Sequence, residues 1–490
     1  MERSAGILLP VFSLPGPYGI GSLGREARAF ADFLHDAGQK WWQVLPVGPT
    51  GAGNSPYTSV STFAGNPLLI DLEDLRDRGL LTEGELSAAR APERAAIDYA
   101  ALYESREPLL RRAFSHLSGT EAQAVRDFAA AAPWLGEYAL YRALKTHFGE
   151  AAWYDWPDKA LRRRDPAALE PWRTALAEDI AFHQTVQFWF FSQWRALKDH
   201  ANGLGVGIIG DLPIYVSLDS ADVWSERKAF LLDETGRPSR VAGVPPDYFS
   251  EEGQLWGNPL YDWAAMKADG FGWWIRRVEG ASRLFDAIRI DHFRAFERYW
   301  SVPAGAETAR EGRWEPGPGL DLLHVLTGWF PHITYIAEDL GLLTPEVHQL
   351  REAAGLPGMK VLEFAFDHPG NAYLPHNYDS RRCICYTGTH DNDTALGWYD
   401  HAAESERAFA ERYLGASGRE NVRRALLRCG MGSTAELFVA QMQDYLALGS
   451  EGRINVPGVA DGNWRWRMAP GAAAAELAAE IRALTETYGR

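Results

Sequence analysis

Ionisable side chains follow several apolar segments that have the composition of buried strands. In AIRIDHFRAF (287–296), Arg289, Asp291 and His292 come directly after such a segment. Because residues i and i+2 of a strand point the same way, Arg289 and Asp291 should share one face. A neighbouring guanidinium favours the ionised carboxylate, so we expect the pKa of Asp291 to be held down. An aspartate kept charged and partly desolvated is a candidate nucleophile.

Acidic residues also end three other strand-like segments. Glu338 ends the apolar run of ITYIAEDLG, Asp391 follows His390 in CICYTGTHDND, and Asp211 lies in GIIGDLPIYV. A single acidic residue in such a place is usually a helix cap or a loop ion pair. If these strand ends met at one place, the four carboxylates would instead repel one another, and at least one should have a raised pKa. Glycosidic chemistry needs carboxyl groups with different pKa values. One must be ionised to attack the sugar, and one must be protonated to give its proton to the leaving oxygen.

The elements that would position these residues form a barrel pattern. Helical patterns such as 177–200 separate most of the short apolar segments, and alternating strands and helices predict an α/β fold, specifically a (β/α)₈ TIM barrel. The active sites of such barrels lie at the carboxyl ends of the strands. The predicted strands are 41–47, 67–72, 205–216, 284–293, 332–340, 358–366, 383–391 and 437–444.

The chain is longer than a barrel requires, because a barrel takes about 250 residues and this chain has 490. We interpret residues 1–490 as a single catalytic barrel with insertions. Residues 73–200, rich in Ala, Arg, Glu and Leu, predict a helical insertion. Residues 217–275 predict a second one, which carries the aromatic loop VPPDYFSEEGQLWGNPLYDW. The Ala-, Leu- and Glu-rich tail from 469 predicts a helix, so we expect no C-terminal β-sandwich.

Composition excludes several classes of partner. Lys+Arg 49 against Asp+Glu 65 gives a net charge of −16, which argues against nucleic acid and anionic membranes. No segment is long enough to span a membrane, and the first residues lack a secretory pattern. The three cysteines, Cys383, Cys385 and Cys429, have no zinc-binding spacing and suit a reducing compartment. We therefore expect a cytoplasmic protein; nothing in the sequence indicates its oligomeric state.

Two motifs suggest rival functions. GIGSLG (19–24) matches the dinucleotide-binding pattern, which would make the protein an NAD(P)-dependent oxidoreductase, but the three prolines of LPVFSLPGPY leave no strand before it. Asp391, Asn392 and Asp393 resemble the start of a calcium loop. Ala395 replaces the third ligand there, and Gly397 comes one place late for the turn glycine. We expect neither a cofactor nor a metal.

Four motifs carry a specific resemblance to a known family. DLPIYV, RIDHFR, IAEDLG and GTHDND are similar, in chain order, to the four signature regions of the α-amylase clan, and most closely to those of the amylomaltases, which are 4-α-glucanotransferases. The segments 54–75, 245–263, 357–366 and 454–467 resemble that family too, so the similarity spans roughly residues 3 to 468. After SPY the sequence Thr-Ser-Val-Ser-Thr departs from the family pattern, which bears on hydrogen bonds around Tyr57.

The resemblance implies a reaction and residue roles. An α-1,4-glucan segment would pass from a donor to the 4-hydroxyl of an acceptor glucan or glucose, with maltooligosaccharides as substrates and no cofactor. Asp291 would be the nucleophile, Glu338 the general acid/base, and Asp391 the residue that binds sugar hydroxyls in the transition state. Other residues would bind the glucan: Tyr57, Asp211, Tyr248, Phe249, Gln254, Trp256, Arg289, His292, His390 and Asn463. An α-glucan hydrolase of the same clan and a non-catalytic glucan-binding protein are the alternatives.

Overall fold

Short β-branched and apolar segments of the chain form strands in the computed structural model, which describes residues 2–246, 251–341 and 343–490. Most strands have four to six residues, and the barrel strands are buried on both faces, as parallel strands covered by helices must be. The strands are β1 Ser4–Leu8, β2 Trp41–Gln43, β3 Gly207–Leu212, β4 Arg240–Val244, β5 Gln254–Pro259, β6 Ala287–Ile290, β7 Arg298–Pro303, β8 Arg313–Pro316, β9 Thr334–Ala337, β10 Gly358–Val361, β11 Cys383–Tyr386 and β12 Leu437–Gln441.

Eight of these strands form a nearly closed parallel barrel. Their order around the sheet is β10-β11-β12-β1-β2-β3-β6-β9. The two end strands also meet, because the backbone N–H of Ala337 donates to the carbonyl of Pro357 at 2.9 Å. The predicted (β/α)₈ TIM barrel is therefore confirmed. Because the eight strands are parallel, their carboxyl-terminal ends all lie at one mouth of the barrel.

Helices cover the barrel and fill the long connections. Helices α2 to α9 lie between β2 and β3, and α9 packs against both α1 and β3. The helices are α1 Arg25–Asp36, α2 Leu72–Asp77, α3 Glu83–Ala89, α4 Tyr99–Ser115, α5 Gly119–Ala131, α6 Leu135–His147, α7 Lys159–Arg163, α8 Pro166–Ala175, α9 Ala177–Gly203, α10 Ala221–Ser225, α11 Trp263–Ala268, α12 Gly272–Leu284, α13 Gly319–Trp329, α14 Pro345–Ala353, α15 Ala395–His401, α16 Glu404–Leu414, α17 Arg419–Gly432, α18 Met442–Tyr445 and α19 Ala475–Thr487. The division of the chain at 73–200 and 217–275 stays a prediction.

One predicted strand is wrong, and the first barrel strand was missed. Residues 67–72 form a 3-10 turn that leads into α2 rather than a strand. The barrel instead begins with β1, which sequence analysis passed over because SAGIL is short and has a central glycine. Gly6 is needed there, since a Cβ at that position would lie 2.7 Å from Cβ of Trp41 on β2.

Side chains of α9 explain why the 65–71 segment is not a strand. The amide of Gln187 accepts from the N–H of Gly65 at 2.7 Å and donates to its carbonyl at 2.9 Å. Gln193 makes the same pair of bonds to Asp71, at 2.7 and 3.1 Å. Buried backbone groups must be paired, and here glutamine side chains replace a neighbouring strand.

The GIGSLG segment does not form a dinucleotide site. A dinucleotide motif runs directly from a strand into a helix N-terminus, but β1 ends at Leu8 and a 3-10 turn separates it from α1. The Asp71 carboxyl group lies at the start of α1, where a Cβ added to Gly24 would meet its oxygens at 2.5 Å. Ser22 donates to the same carboxyl group at 3.1 Å. An acidic side chain thus occupies the place that a pyrophosphate would need.

A small antiparallel sheet, which sequence analysis did not predict, stands beside the barrel mouth. Its strand order is β5-β4-β7-β8, so it joins residues from 240–259 with residues from 298–316. Arg294, just after β6, stacks its guanidinium on Trp314 of β8 at 3.9 Å from the ring centroid. This contact attaches the sheet to the strand end that carries Asp291.

The remainder of the described chain agrees with the sequence interpretation. Beyond β12 the described residues form α18, a 3-10 turn and α19, with no β-sandwich. Cys383 and Cys385 are buried in the core, whereas Cys429 is only partly buried. None of the helices in the described part of the chain combines the length and the apolar character that a bilayer crossing requires.

Candidate active site

The register between β6 and β9 brings the two central carboxyl groups together. Ile290 pairs with Ala337, and the ladder continues one residue further, since the N–H of Glu338 donates to the carbonyl of Ile290 at 3.0 Å. Asp291 and Glu338 are therefore register neighbours on strands that lie about 4.8 Å apart. Partners in a parallel register point to the same side, so both side chains can reach one reacting carbon.

Arg289 connects Asp291 to the neighbouring strand β3. Asp211 is the register partner of Arg289, and the guanidinium donates to both Asp211 oxygens at 2.6 and 2.8 Å. The same nitrogen lies 3.1 Å from Oδ1 of Asp291. Arg289 and Asp211 are fully buried, whereas the Asp291 side chain is 27% exposed. The nucleophile candidate is thus the member of the group that faces the mouth.

A chain of hydrogen bonds continues from Asp211 to Asp391. The Tyr57 hydroxyl donates to Oδ2 of Asp211 at 2.8 Å and lies 2.8 Å from Nε2 of His390. That nitrogen is 3.4 Å from Oδ2 of Asp391. The Tyr57 and His390 rings also stack, with centroids 5.2 Å apart. Residues from the ends of β3, β6 and β11 therefore form one connected group with Tyr57, which lies in the long connection after β2.

His292 holds Glu338 through its backbone. Its N–H donates to Oε2 of Glu338 at 2.7 Å, and the N–H of Leu340 donates to Oε1 at 3.1 Å. His292 has φ 50° and ψ 46°, the left-handed region that a non-glycine residue rarely adopts. Strained backbone of this kind occurs at functional sites where surrounding contacts maintain it. Here it directs the N–H of His292 at the carboxyl group.

Burial raises the pKa values of both carboxyl groups, and the contact with Arg289 favours ionisation of Asp291 first. Burial raises the pKa of Glu338 to about 8, and the negative charge of Asp291 raises it as well, against the opposing effect of Arg289. Burial also raises the pKa of Asp291 to about 7, and Arg289 offsets only part of this rise. The expected net lowering of the Asp291 pKa is therefore wrong, because desolvation outweighs one ion pair. Because the Arg289 guanidinium contacts Asp291 directly, Asp291 ionises first. When the pair holds one proton, that proton therefore lies on Glu338.

The histidines and the tyrosine of the site are neutral. Burial lowers the pKa of His292 to about 3, and it also lowers the pKa of His390. Burial, followed by the charge of Asp211, raises the pKa of Tyr57 well above its ordinary value. Because the Tyr57 hydroxyl donates its proton to Asp211, the hydrogen bond between Tyr57 and His390 needs an N–H at Nε2 of His390. Neutral imidazoles can donate to and accept from sugar hydroxyls without adding charge.

Two residues that hold Asp391 were missed in the sequence. Asn455 donates from Nδ2 to Oδ1 of Asp391 at 2.6 Å. Arg453 donates to the backbone carbonyl of Asp391 at 2.7 Å and to that of Asn455 at 2.8 Å. Asn455 is the second residue of the family-like segment INVPGVADGNWRWR, and Arg453 comes directly before that segment. Only a tertiary contact distinguishes them from the other polar residues of that loop.

The expected loop residues have different positions. Trp256, 37% exposed, packs edge-on against His292 with ring centroids 4.8 Å apart. Gln254 accepts from the indole N–H of Trp256 at 3.1 Å, so it supports that ring. Among the described residues, Asn463 bonds within its own loop, to the backbone of Val456 and Val459. Tyr248 and Phe249 lie outside the described residues.

The side chains that resembled a calcium loop have other partners. The side-chain oxygen Oδ1 of Asn392 accepts from both the backbone N–H and the hydroxyl of Thr389, each at 2.9 Å. Asp393 accepts from the Ser450 hydroxyl at 2.7 Å. These bonds shape the turn that carries Asp391.

The site as a whole combines two carboxyl groups of different protonation with neutral histidines and a tyrosine. It can therefore do acid–base and nucleophilic chemistry on a neutral, hydroxyl-rich ligand.

Comparison with known proteins agrees with this geometry. A family model described as 4-alpha-glucanotransferase matches residues 9–473. The 4-alpha-glucanotransferase of Thermus thermophilus is 51% identical, with 100% of this chain and 99% of the relative covered. That of a Synechocystis strain is 45% identical, with 100% and 98% covered. The structure of the amylomaltase from Streptococcus agalactiae in complex with acarbose superimposes with a TM-score of 0.97 at 39% identity, over 100% of both chains.

Proposed function

The chain belongs to the 4-alpha-glucanotransferase family and its activity is glycosyl transfer, and we propose that Asp291, Glu338 and Asp391 carry out this transfer at the barrel mouth. The observation that supports this assignment best is the register pairing of Asp291 with Glu338. Retaining glycosidases need two carboxyl groups about 5–5.5 Å apart. Neighbouring strands in register provide that spacing without help from flexible loops.

The first half of the reaction breaks the donor linkage. Glu338 gives its proton to the glycosidic oxygen while an Asp291 oxygen attacks the anomeric carbon. The leaving chain departs with a free 4-hydroxyl, and a covalent glucosyl–Asp291 ester remains. The two N–H donors on Glu338 stabilise the carboxylate that results. The loss of negative charge at Asp291 during attack lowers the pKa of Glu338, so proton donation becomes easier.

The second half restores the α-linkage. The 4-hydroxyl of an acceptor glucan gives its proton to Glu338 and attacks the anomeric carbon, which breaks the ester to Asp291. Each displacement inverts the configuration, so two displacements retain it. The bond formed is of the same kind as the bond broken, and the exchange needs no energy source. Asp391 and the neutral His292 and His390 would bind hydroxyls of the same glucosyl unit.

Apolar surface around the mouth supports the preference for a sugar acceptor over water. Three segments that follow barrel strands or site residues expose apolar side chains, and each of these side chains is 37–50% exposed. Such surface binds the apolar faces of sugar rings, excludes water and orients the acceptor hydroxyl. The side chains are Leu255, Trp256, Phe364, Val456 and Val459.

The substrate follows from these features and from the relatives. We propose α-1,4-glucans and maltooligosaccharides as donors, with a glucan chain or glucose as acceptor. The solved amylomaltase in complex with acarbose, a structure that covers the whole chain, supports a carbohydrate ligand for this chain as well. The net charge of −16 suits a neutral substrate. We also propose that the enzyme works in the cytoplasm.

Incubation with maltotriose tests the proposal. Transfer yields glucose together with a ladder of longer maltooligosaccharides, whereas hydrolysis yields new reducing ends and no longer chains. Asp291→Ala is the control, and it should abolish both product patterns while leaving the circular dichroism spectrum unchanged. Full activity of Asp291→Ala would contradict the nucleophile assignment. Products without chain lengthening would favour the hydrolase alternative.

A further inference from the structure

Glu363 is an acidic residue at the barrel mouth to which neither the mechanism nor the sequence motifs give a role. It lies in the 3-10 turn Leu362–Phe364 directly after β10. Its backbone N–H donates to the carbonyl of Thr387 at 3.2 Å. The residue is 8% exposed, and its Oε1 atom has no hydrogen-bond partner among the described residues. A buried polar atom without a partner requires an explanation.

The carboxyl group lies directly against the segment that carries His390 and Asp391. A Cβ placed on Gly388 would lie 2.6 Å from Oε1 of Glu363 and 2.9 Å from Nε2 of Gln441. The lack of a side chain at Gly388 therefore lets the carboxyl group approach the backbone at the base of this segment. Gln441 holds the other end, since its Nε2 donates to the carbonyl of Asp393 at 2.7 Å. The Glu363 carboxyl group thus packs against the start of residues 388–393, and Gln441 is hydrogen-bonded to their end.

The charges around Glu363 favour its neutral form. Burial, and then the charges of Asp444 and Asp393, raise the pKa of Glu363, and Arg453 opposes them. Asp444 already accepts from the Thr387 hydroxyl at 2.5 Å and from the N–H of Ala395 at 2.7 Å. A third carboxylate here would have no donor of its own. A protonated Glu363 instead has an O–H to donate, and Oε1 of Gln441 is a buried acceptor without a partner among the described residues.

We propose that Glu363 is a positioning residue of the transfer reaction, whose carboxyl group supports residues 388–393 and thereby fixes Asp391 and His390 against the substrate. The inference rests on the proposed role of Asp391. Glu363 does not touch the reacting atoms in this arrangement. It acts on the placement of Asp391, which Asn455 and Arg453 also hold through hydrogen bonds.

Two variants of similar side-chain volume separate polar support from packing. Glu363→Gln keeps a neutral polar group of the same shape, and we expect its kcat for maltotriose to stay within about threefold of the wild type. Glu363→Met keeps the volume and removes the hydrogen-bonding group. Its kcat should fall by about tenfold to a hundredfold, because small misplacements of catalytic groups have effects of this size. KM should change by less than about twofold, since Asp391 acts mainly in the transition state.

Melting temperature and two control variants complete the experiment. Glu404→Met changes an exposed glutamate on α16 and should alter neither kcat nor melting temperature. Asp391→Asn in the same assay tests the proposed function itself. Activity of Asp391→Asn near the wild-type value would overturn the proposed site. Loss in Asp391→Asn with full activity in Glu363→Met would overturn this inference alone, as would equal losses in Glu363→Gln and Glu363→Met.

Discussion

At the scale of single residues, the division of one proton between two carboxyl groups decides the chemistry. Burial raises the pKa values of both Asp291 and Glu338, and the guanidinium of Arg289 favours ionisation of Asp291 first. The same pair would be two equivalent acids in water. Their different surroundings make one a nucleophile and the other an acid, which is the general route by which enzymes obtain both from carboxyl groups.

The acid role of Glu338 predicts a selective effect of leaving-group chemistry. Glu338→Gln should lower kcat for maltotriose by roughly 10²–10⁴-fold, because a glucosyl leaving group needs a proton. Fluoride leaves without one, so the variant should still be glycosylated by α-maltosyl fluoride at a rate much closer to that of the wild type. Mass spectrometry of the trapped glucosyl–enzyme measures this rate. A variant that fails equally with both donors would contradict the acid role.

The raised pKa values also predict the pH dependence of activity. Attack requires ionised Asp291, so kcat/KM should fall as pH drops below about 7, where this group gains a proton. Proton donation requires protonated Glu338, so kcat/KM should also fall as pH rises above about 8. Initial rates with maltotriose from pH 5 to 10 measure both limbs. An acidic limb near pH 4 would show that Asp291 is not desolvated as the structure indicates.

At the scale of elements, barrel strands and loops have different tasks. The register of strands β3, β6 and β9 brings Asp211, Arg289, Asp291 and Glu338 together. Asp391 lies five residues beyond β11, so its position depends on a loop. The segment from 453 to 455 closes on that loop and holds both its backbone and its carboxyl group.

Removal of one loop contact should therefore impair catalysis. Asn455→Ala removes the amide that donates to Asp391, and we expect kcat for maltotriose to fall by about tenfold to a hundredfold, since the carboxylate loses its orientation. Asn421→Ala, at an exposed asparagine on α17, is the matched control and should be unaffected. Steady-state kinetics distinguish the two. Equal activity of both variants would mean that Asp391 is oriented without Asn455.

At the scale of the whole molecule, α9 joins the long connection after β2 to the barrel. It packs against α1 and β3, and its two buried glutamines hold the backbone of residues 65 and 71. The segment between them follows the loop that carries Tyr57 and leads directly into α2. The path of the chain from residue 65 to residue 71 therefore depends on a helix more than a hundred residues away.

This connection predicts a large effect on stability from a distant substitution. Gln187→Leu leaves the N–H and the carbonyl of Gly65 unpaired, and each buried unpaired group costs about 1–3 kcal/mol. We expect the free energy of unfolding to fall by about 2–4 kcal/mol. Gln123→Leu, at an exposed glutamine on α5, should change it little. Urea unfolding followed by tryptophan fluorescence provides the measurement, and similar midpoints for the two variants would refute the prediction.

The sequence by itself determined the barrel class and the chemical groups of the site. Seven strand segments were visible because apolar runs between turn residues are a local signal, and the acidic motifs at their ends carried the chemistry in the same short stretches. Only the tertiary structure decided that residues 67–72 are not a strand, that β1 is one, and that Arg453 and Asn455 hold Asp391. It also decided that burial, rather than Arg289, dominates the pKa of Asp291. Each of these depends on partners far away in the chain, since backbone pairing and desolvation are properties of the packed surroundings.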